Sequence, residues 1–135
     1  MKALTVLPPY AIMIATEFKT IEVRTWRTEY RGDVLITASN RRLAGTIPGH
    51  AICVVELADV VPLTKEHLKA ACLSGMPDVP CYAWVLKNPR LIKPIPIKGK
   101  LSLWNADVTP EFLPVPQTEE EDADLYDEYW EPIIV

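Results

Sequence analysis

Proline constrains this chain more than any other residue. Thirteen of its 135 residues are proline, against five glycines. Proline inside a helix removes a backbone donor and clashes with the preceding turn, so long helices have little room here. Short strands broken by many turns are the expected outcome. The length predicts one domain, large enough to bury roughly two thirds of its unfolded surface in a single core. No apolar run approaches the ~18 residues of a membrane span, so none is expected. The apolar stretches at 3–7 and 11–15 are split by Pro8-Pro9 and followed by no small-residue cleavage site, which reads as mature protein rather than a leader. Cys53, Cys72 and Cys81 are odd in number and form no Cys-x-x-Cys, the pattern of free thiols in a reducing, cytoplasmic setting.

The order of elements follows from pattern. Residues 2–7 alternate as a strand. Pro8-Pro9 opens a short helix over residues 10–18, since the first turn of a helix needs no proline N–H. Strands are expected at 21–26 and 34–38, with a turn at 30–33 and a polar corner at Ser39-Asn40-Arg41-Arg42. A long β-branched strand covers 51–61. Thr64 caps a helix over 64–73 that places Leu68 and Cys72 toward the core. A strand at 81–86 ends in a turn at Asn88-Pro89. Pro94 and Pro96 push the next extended segment, 91–97, to a sheet edge. A last strand covers 100–104. The fold class is α+β: a small mixed β-barrel of about six strands with short helices over one opening. The barrel domain spans residues 1–112, and residues 113–135 form an acidic C-terminal tail. In that tail Thr118 and Glu121 fit a capping box. Leu125 with Tyr129, and Tyr126 with Trp130, fit one helical face over 118–130, ready to dock on the body or on a protein partner.

Charge is distributed unevenly. Residues 119–131 hold eight of the eighteen acids and no base, which leaves fourteen bases against ten acids elsewhere. Six of the bases fall between Lys19 and Arg42. A polyanionic partner and a solvated charged face both fit that balance.

Residues 19–31, Lys-Thr-Ile-Glu-Val-Arg-Thr-Trp-Arg-Thr-Glu-Tyr-Arg, concentrate the chemistry. Strand alternation sends Ile21, Val23 and Thr25 one way and Glu22, Arg24 and Trp26 the other. A face carrying a carboxylate, a guanidinium and an indole makes a poor core and a good grip on a polar, planar ligand. Lys19 stands at its mouth. A carboxylate between two cations holds both in fixed geometry, and Arg24 is suited to clamping a phosphate or stacking on a base. Trp26 and Tyr10 are candidates for ligand stacking, with packing the alternative. Arg41 and Arg42 are candidates for phosphate contact. Glu56 shares a face with Ile52 and Val54, and a buried carboxylate there needs a cation, such as Arg24 or Lys19, or a place in the cleft.

Lys19-Thr20-Ile21-Glu22-x-Arg24-Thr25-Trp26, followed by Tyr30-Arg31-Gly32, resembles the signature of ASCH domains, which are small PUA-like barrels. Three further stretches carry the resemblance, over about residues 1–107: residues 1–6 with Pro9-Tyr10-Ala11; Val54-Val55-Glu56-Leu57; and Tyr82-Ala83-Trp84-Val85-Leu86 with the run from Lys98 to Asn105. Glu17 stands where the family usually has glycine, and Tyr10 where many members have tryptophan. The resemblance implies a cleft that recognises RNA or a modified nucleotide. Some relatives resemble amidohydrolases of acetylated cytidine that use a lysine, a threonine and a glutamate; others are reported as ribonucleases. In that reading Lys19, Glu22 and Glu56 are the catalytic candidates, but Glu22 occupies the threonine position, which tilts the site from cutting toward holding.

His50, Cys53, His67, Cys72 and Cys81 lack the paired spacing of a zinc site, and Cys53 and Cys72 occupy expected core positions. No glycine-rich phosphate loop and no Ser-His-Asp order is present. Neither metal nor cofactor is expected. An RNA- or nucleotide-binding module, a small hydrolase using the same cleft, and an adaptor acting through the acidic tail remain as function classes.

Overall fold

The structure, a computed structural model, describes residues 1–135. Its centre is one curled sheet of six strands: β1 (Lys2–Val6), β2 (Ile21–Arg24), β3 (Gly32–Ala38), β4 (His50–Pro62), β5 (Tyr82–Pro96) and β6 (Leu103–Asn105). Their order across the sheet is β2-β5-β4-β3-β1-β6. β1 and β3 run parallel and all other neighbours are antiparallel. The result is the expected mixed barrel in half-open form, with β2 and β6 as its free margins. Two short helices accompany it, α1 (Pro8–Ala15) and α2 (Glu119–Leu125). No helix is long and apolar enough to cross a membrane.

Two apolar layers flank the sheet. On the inner face Val34, Ile36, Val55, Leu57 and Trp84 pack under Ala11 and Ile14 of α1. On the outer face Ala3, Leu35, Val54 and Ile92 are covered by Ala106 and Val108 from the segment after β6. The inner layer contains both Ile52 and Cys53, because the β3–β4 register slips between Ile36 and Thr37 and adds a residue to β4. That bulge corrects the expected face of Glu56. It shares the outer side with Val54 but not with Ile52, lies opposite Asp33, and is exposed.

Three further expectations are corrected. The strands expected at 81–86 and 91–97 form one strand, β5. The turn at Asn88-Pro89 is absorbed as a bulge, with Asn88 at φ +50°, between the pairs Glu56–Lys87 and Val54–Arg90. The proline-bearing half of β5 does run beyond β2, and its outer side meets only a short stretch near Phe112, through Lys93 N–H to the Glu111 carbonyl at 2.8 Å.

The helix expected over 64–73 is reduced to one 3-10 turn, Lys65–His67. The chain beyond it continues as irregular turns, and its last carbonyls serve the start of β2. Ala70 accepts from the Thr20 and Ile21 amides at the start of β2, and Ala71 accepts from Lys19. Cys72 turns left-handed at φ +58° and is exposed, so Ala71 rather than Cys72 enters the core.

The first helix ends at Ala15, short of Phe18, and Phe18 is exposed. Glu17 adopts φ +66°. This is the left-handed conformation that glycine adopts without cost after a helix. It redirects the chain so that the Lys19 amide reaches back to the Met13 carbonyl at 3.0 Å.

The C-terminal residues fold onto the body. Thr118 Oγ1 accepts from the Glu121 amide at the start of α2, and the Glu121 carboxylate accepts from the Gln117 amide. One wider π-type turn, Tyr126–Trp130, follows and buries Trp130 in the inner layer. Val135 then exchanges backbone hydrogen bonds with Gly45 and Thr46 in the loop after β3.

Candidate functional site

The site grows from the first two turns of chain after α1. Cross-strand partners share a face, so Glu22 opposite Trp84 and Arg24 opposite Tyr82 point to the inside of the half-barrel. Ile21 faces the other way, against Leu63, Ala71 and Ala83, and Val23 joins that cluster. The alternation expected from sequence holds over these four residues. β2 ends at Arg24, and beyond it Trp26 packs edge-on against Trp84, with ring centroids 4.7 Å apart and planes at 82°. Trp84 Nε1 also donates to the Trp26 carbonyl at 3.2 Å. Trp26 therefore closes the core beneath the site and does not line its cavity.

Lys19 and Glu22 are buried, with 3% and 6% of their surface exposed. Lys19 Nζ donates to the Ala71 carbonyl at 2.6 Å and stands 3.6 Å from Glu22 Oε1. It also lies 4.9 Å from the centre of the Tyr10 ring, a cation–π distance. Arg24 Nη2 donates to Glu22 Oε2 at 2.8 Å and to the Thr5 carbonyl at 2.9 Å. One carboxylate thus holds two cations in place, and an ion pair this buried depends on such completed geometry.

Above this row lies a cavity of about 360 Å³, lined by Thr5, Leu7, Tyr10, Glu22, Arg24 and Ser39 among others. That is the size of a small-ligand site. Ser39 is the residue that sequence reasoning missed as a site member. Its amide donates to the Val6 carbonyl and its carbonyl accepts from the Gly49 amide, while its Oγ is buried and has no hydrogen-bond partner in the chain. Its one sequence signal is its position at the end of β3, where the chain leaves the sheet at a polar corner.

The other candidates lie apart. Arg41 and Arg42 are exposed and line no cavity in the chain. Glu56 sits on the outer face with Asp33 and Arg90. There Arg90 forms a two-pronged pair with Asp33, at 2.6 and 3.1 Å, whose hydrogen bonds hold the Asp33 carboxyl below its usual range. Burial pushes the Cys53 thiol up to about 12, so it is a poor nucleophile and a poor metal ligand. No three His, Cys, Asp or Glu side chains gather in a group that would hold a metal ion. A larger cavity, about 480 Å³, lies between α2 and β5, but its lining is mainly apolar with Asp122 as its one charged group.

Comparison with known proteins agrees with this architecture. The sequence model of the ASCH domain matches residues 4–97. The chain belongs to the ASCH domain family. The crystal structure of ASCH from Zymomonas mobilis is similar in fold, with a TM-score of 0.62 at 18% identity over 94% of each chain. A single-residue variant of that protein gives the same TM-score and identity over 94% of this chain and 96% of its own. Among curated proteins none matches. Within this ASCH chain, Lys19, Glu22 and Arg24 of the resemblance-bearing motif are brought into direct contact, and Tyr10 is brought over them. Glu17, where the resemblance implies glycine, takes the left-handed conformation.

Proposed function

We propose that this ASCH domain binds RNA or a modified nucleotide in the cavity above Lys19, Glu22 and Arg24. The observation that carries the reading is the Ser39 hydroxyl, buried without a partner beside the fixed row of Lys19, Glu22 and Arg24. Leaving such a group unmet costs about 1–3 kcal/mol, and a ligand that bonds to it recovers that cost. Glu22 supplies acceptors, Arg24 and Ser39 supply donors, and Tyr10 supplies an aromatic face. Together they suit the hydrogen-bonding edge and the flat surface of a base.

The same cleft supports a hydrolase reading through one feature, the buried Lys19 ammonium beside the cavity. Against it stands Glu22, a carboxylate tied to two cations at the position where hydrolytic relatives have threonine. Glu56 lies on the opposite sheet face and is in no position to assist. An adaptor role through the tail has less support, since Trp130 is buried against the body.

Binding of short single-stranded RNAs, followed by fluorescence anisotropy over a salt series, tests the reading. Affinity is expected to fall as salt rises. Arg24→Lys keeps the charge but loses the planar fork, and is expected to weaken binding about tenfold. Salt-insensitive or absent binding contradicts the proposal. Release of acetate from acetylated cytidine, lost in Lys19→Ala, favours the hydrolase instead.

A further inference from the structure

Arg24 lines two cavities. Beyond the cleft just described, a second space of about 250 Å³ is lined by Thr5, Arg24, Gly99, Lys100, Leu101 and Ser102. Its loop is pinned to β1. The Lys100 amide donates to Thr5 Oγ1 at 3.2 Å, and Trp104 Nε1 donates to the same oxygen at 3.1 Å. A Cβ at Gly99 would collide with the Thr5 side chain, so only glycine allows the loop to lie this close.

The lining of this second cavity carries two cations, the Thr5 and Ser102 hydroxyls and no carboxylate, and of the two hydroxyls only that of Ser102 is unused within the chain. Arg24 uses only Nη2 within the chain. Its Nε and Nη1 donors have no partner. The linings of the two cavities together carry Arg24 and Lys100 against Glu22 alone. A neutral ligand leaves that excess of positive charge unbalanced, and an anion balances it. A guanidinium edge, the Ser102 hydroxyl and the Lys100 ammonium, which rests 5.6 Å from the centre of the Trp104 ring on a flexible stem, stand around one space and match phosphate oxygens.

We infer that the second cavity is a phosphate subsite. The ligand is then a phosphorylated nucleoside that spans both spaces, with its base beside Tyr10 and Ser39 and its phosphate between Arg24, Lys100 and Ser102. This rests on the nucleotide reading above and adds to it a requirement for the phosphate. The phosphate belongs either to a free mononucleotide or to an RNA backbone, and the chemistry of recognition is the same.

Calorimetric titration of the full chain tests the subsite. The probes are the four common ribonucleosides, their 3′- and 5′-monophosphates, and the corresponding trinucleotides. For the preferred base, a phosphorylated form is expected to bind about tenfold more tightly than its nucleoside or better. Lys100→Ala is expected to cut that ratio to about twofold. Lys100 is exposed, so the substitution leaves the core intact. Preference for a monophosphate over trinucleotides assigns the subsite to a free nucleotide, and the reverse assigns it to RNA. Equal binding of nucleoside and phosphorylated forms, or a ratio untouched by Lys100→Ala, overturns the subsite while leaving the base cleft standing. Failure of every probe to bind overturns both.

Discussion

The Arg24 guanidinium donates to the Thr5 carbonyl at 2.9 Å. Arg24 ends β2, one margin of the sheet, and Thr5 lies in β1, next to the other. One side chain therefore spans the open side of the half-barrel, and the same nitrogen grips Glu22 at 2.8 Å. The residue that closes the fold is also the residue offered to a ligand.

Arg24→Met should be costly for that reason. It leaves the Glu22 carboxylate buried with Lys19 as its one remaining cation, and removal of one member of a buried pair costs about 3–5 kcal/mol. Arg24 is partly exposed, so the lower end, about 3 kcal/mol, is expected in urea unfolding. A double-mutant cycle with Glu22→Gln is expected to show coupling above about 1 kcal/mol. Strict additivity would mean that the pair does not stabilise the fold.

Ser39→Ala should move stability and binding in opposite directions. Removing a buried, unpartnered hydroxyl is expected to raise unfolding free energy by about 1 kcal/mol. The same change is expected to lower RNA affinity about fivefold, the scale of one lost hydrogen bond. Loss of both stability and binding would mark Ser39 as a structural residue instead.

Glu17→Gly restores the residue that suits a left-handed turn. With φ at +66°, Glu17 carries a steric cost that glycine avoids. Part of the gain is offset by the greater freedom of glycine in the unfolded chain. A net rise of about 0.5 kcal/mol in unfolding free energy is expected, read from the denaturation midpoint. A fall would show that the Glu17 side chain supports the turn.

The Asp33–Arg90 pair gives the fold a pH dependence with a definite sign. Its hydrogen bonds hold the Asp33 carboxyl below its ordinary value. The pair therefore stabilises the fold above the unfolded carboxyl value of about 4, and that contribution is lost as pH falls through the lower folded value. Asp33 is half exposed, so solvent limits the effect to about 0.5–1 kcal/mol near neutrality. Wild type and Arg90→Met are expected to differ by that amount at pH 7 and to converge in acid. A difference that persists below pH 3 would contradict the electrostatic account.

The parts of this molecule that follow from local pattern were legible in its sequence. Period-two alternation placed Glu22 and Arg24 on one face and Ile21 and Val23 on the other, and four residues of strand obey it. Proline marked the start of α1 and the part of β5 that outruns β2. What failed depended on distant partners. The 64–73 segment has helical spacing, but its end docks on the chain about fifty residues upstream, where the Ala70 and Ala71 carbonyls accept from Lys19, Thr20 and Ile21 and Cys72 turns left-handed. Glu56 was misassigned because one bulge puts Ile52 and Cys53 on the same side. Ser39 and Lys100 acquire meaning only when β3 and the loop before β6 are brought to either side of Arg24, which no local spacing encodes.

Amide NMR during titration with a short single-stranded RNA, or with the tightest mononucleotide, tests the central claim most directly. Shift changes are expected to centre on Tyr10, Glu22, Arg24 and Ser39, extending to Lys100 and Ser102 when a phosphate is present. Changes confined to Arg41 and Arg42, or to α2, would place the ligand elsewhere and contradict the cleft as the binding site.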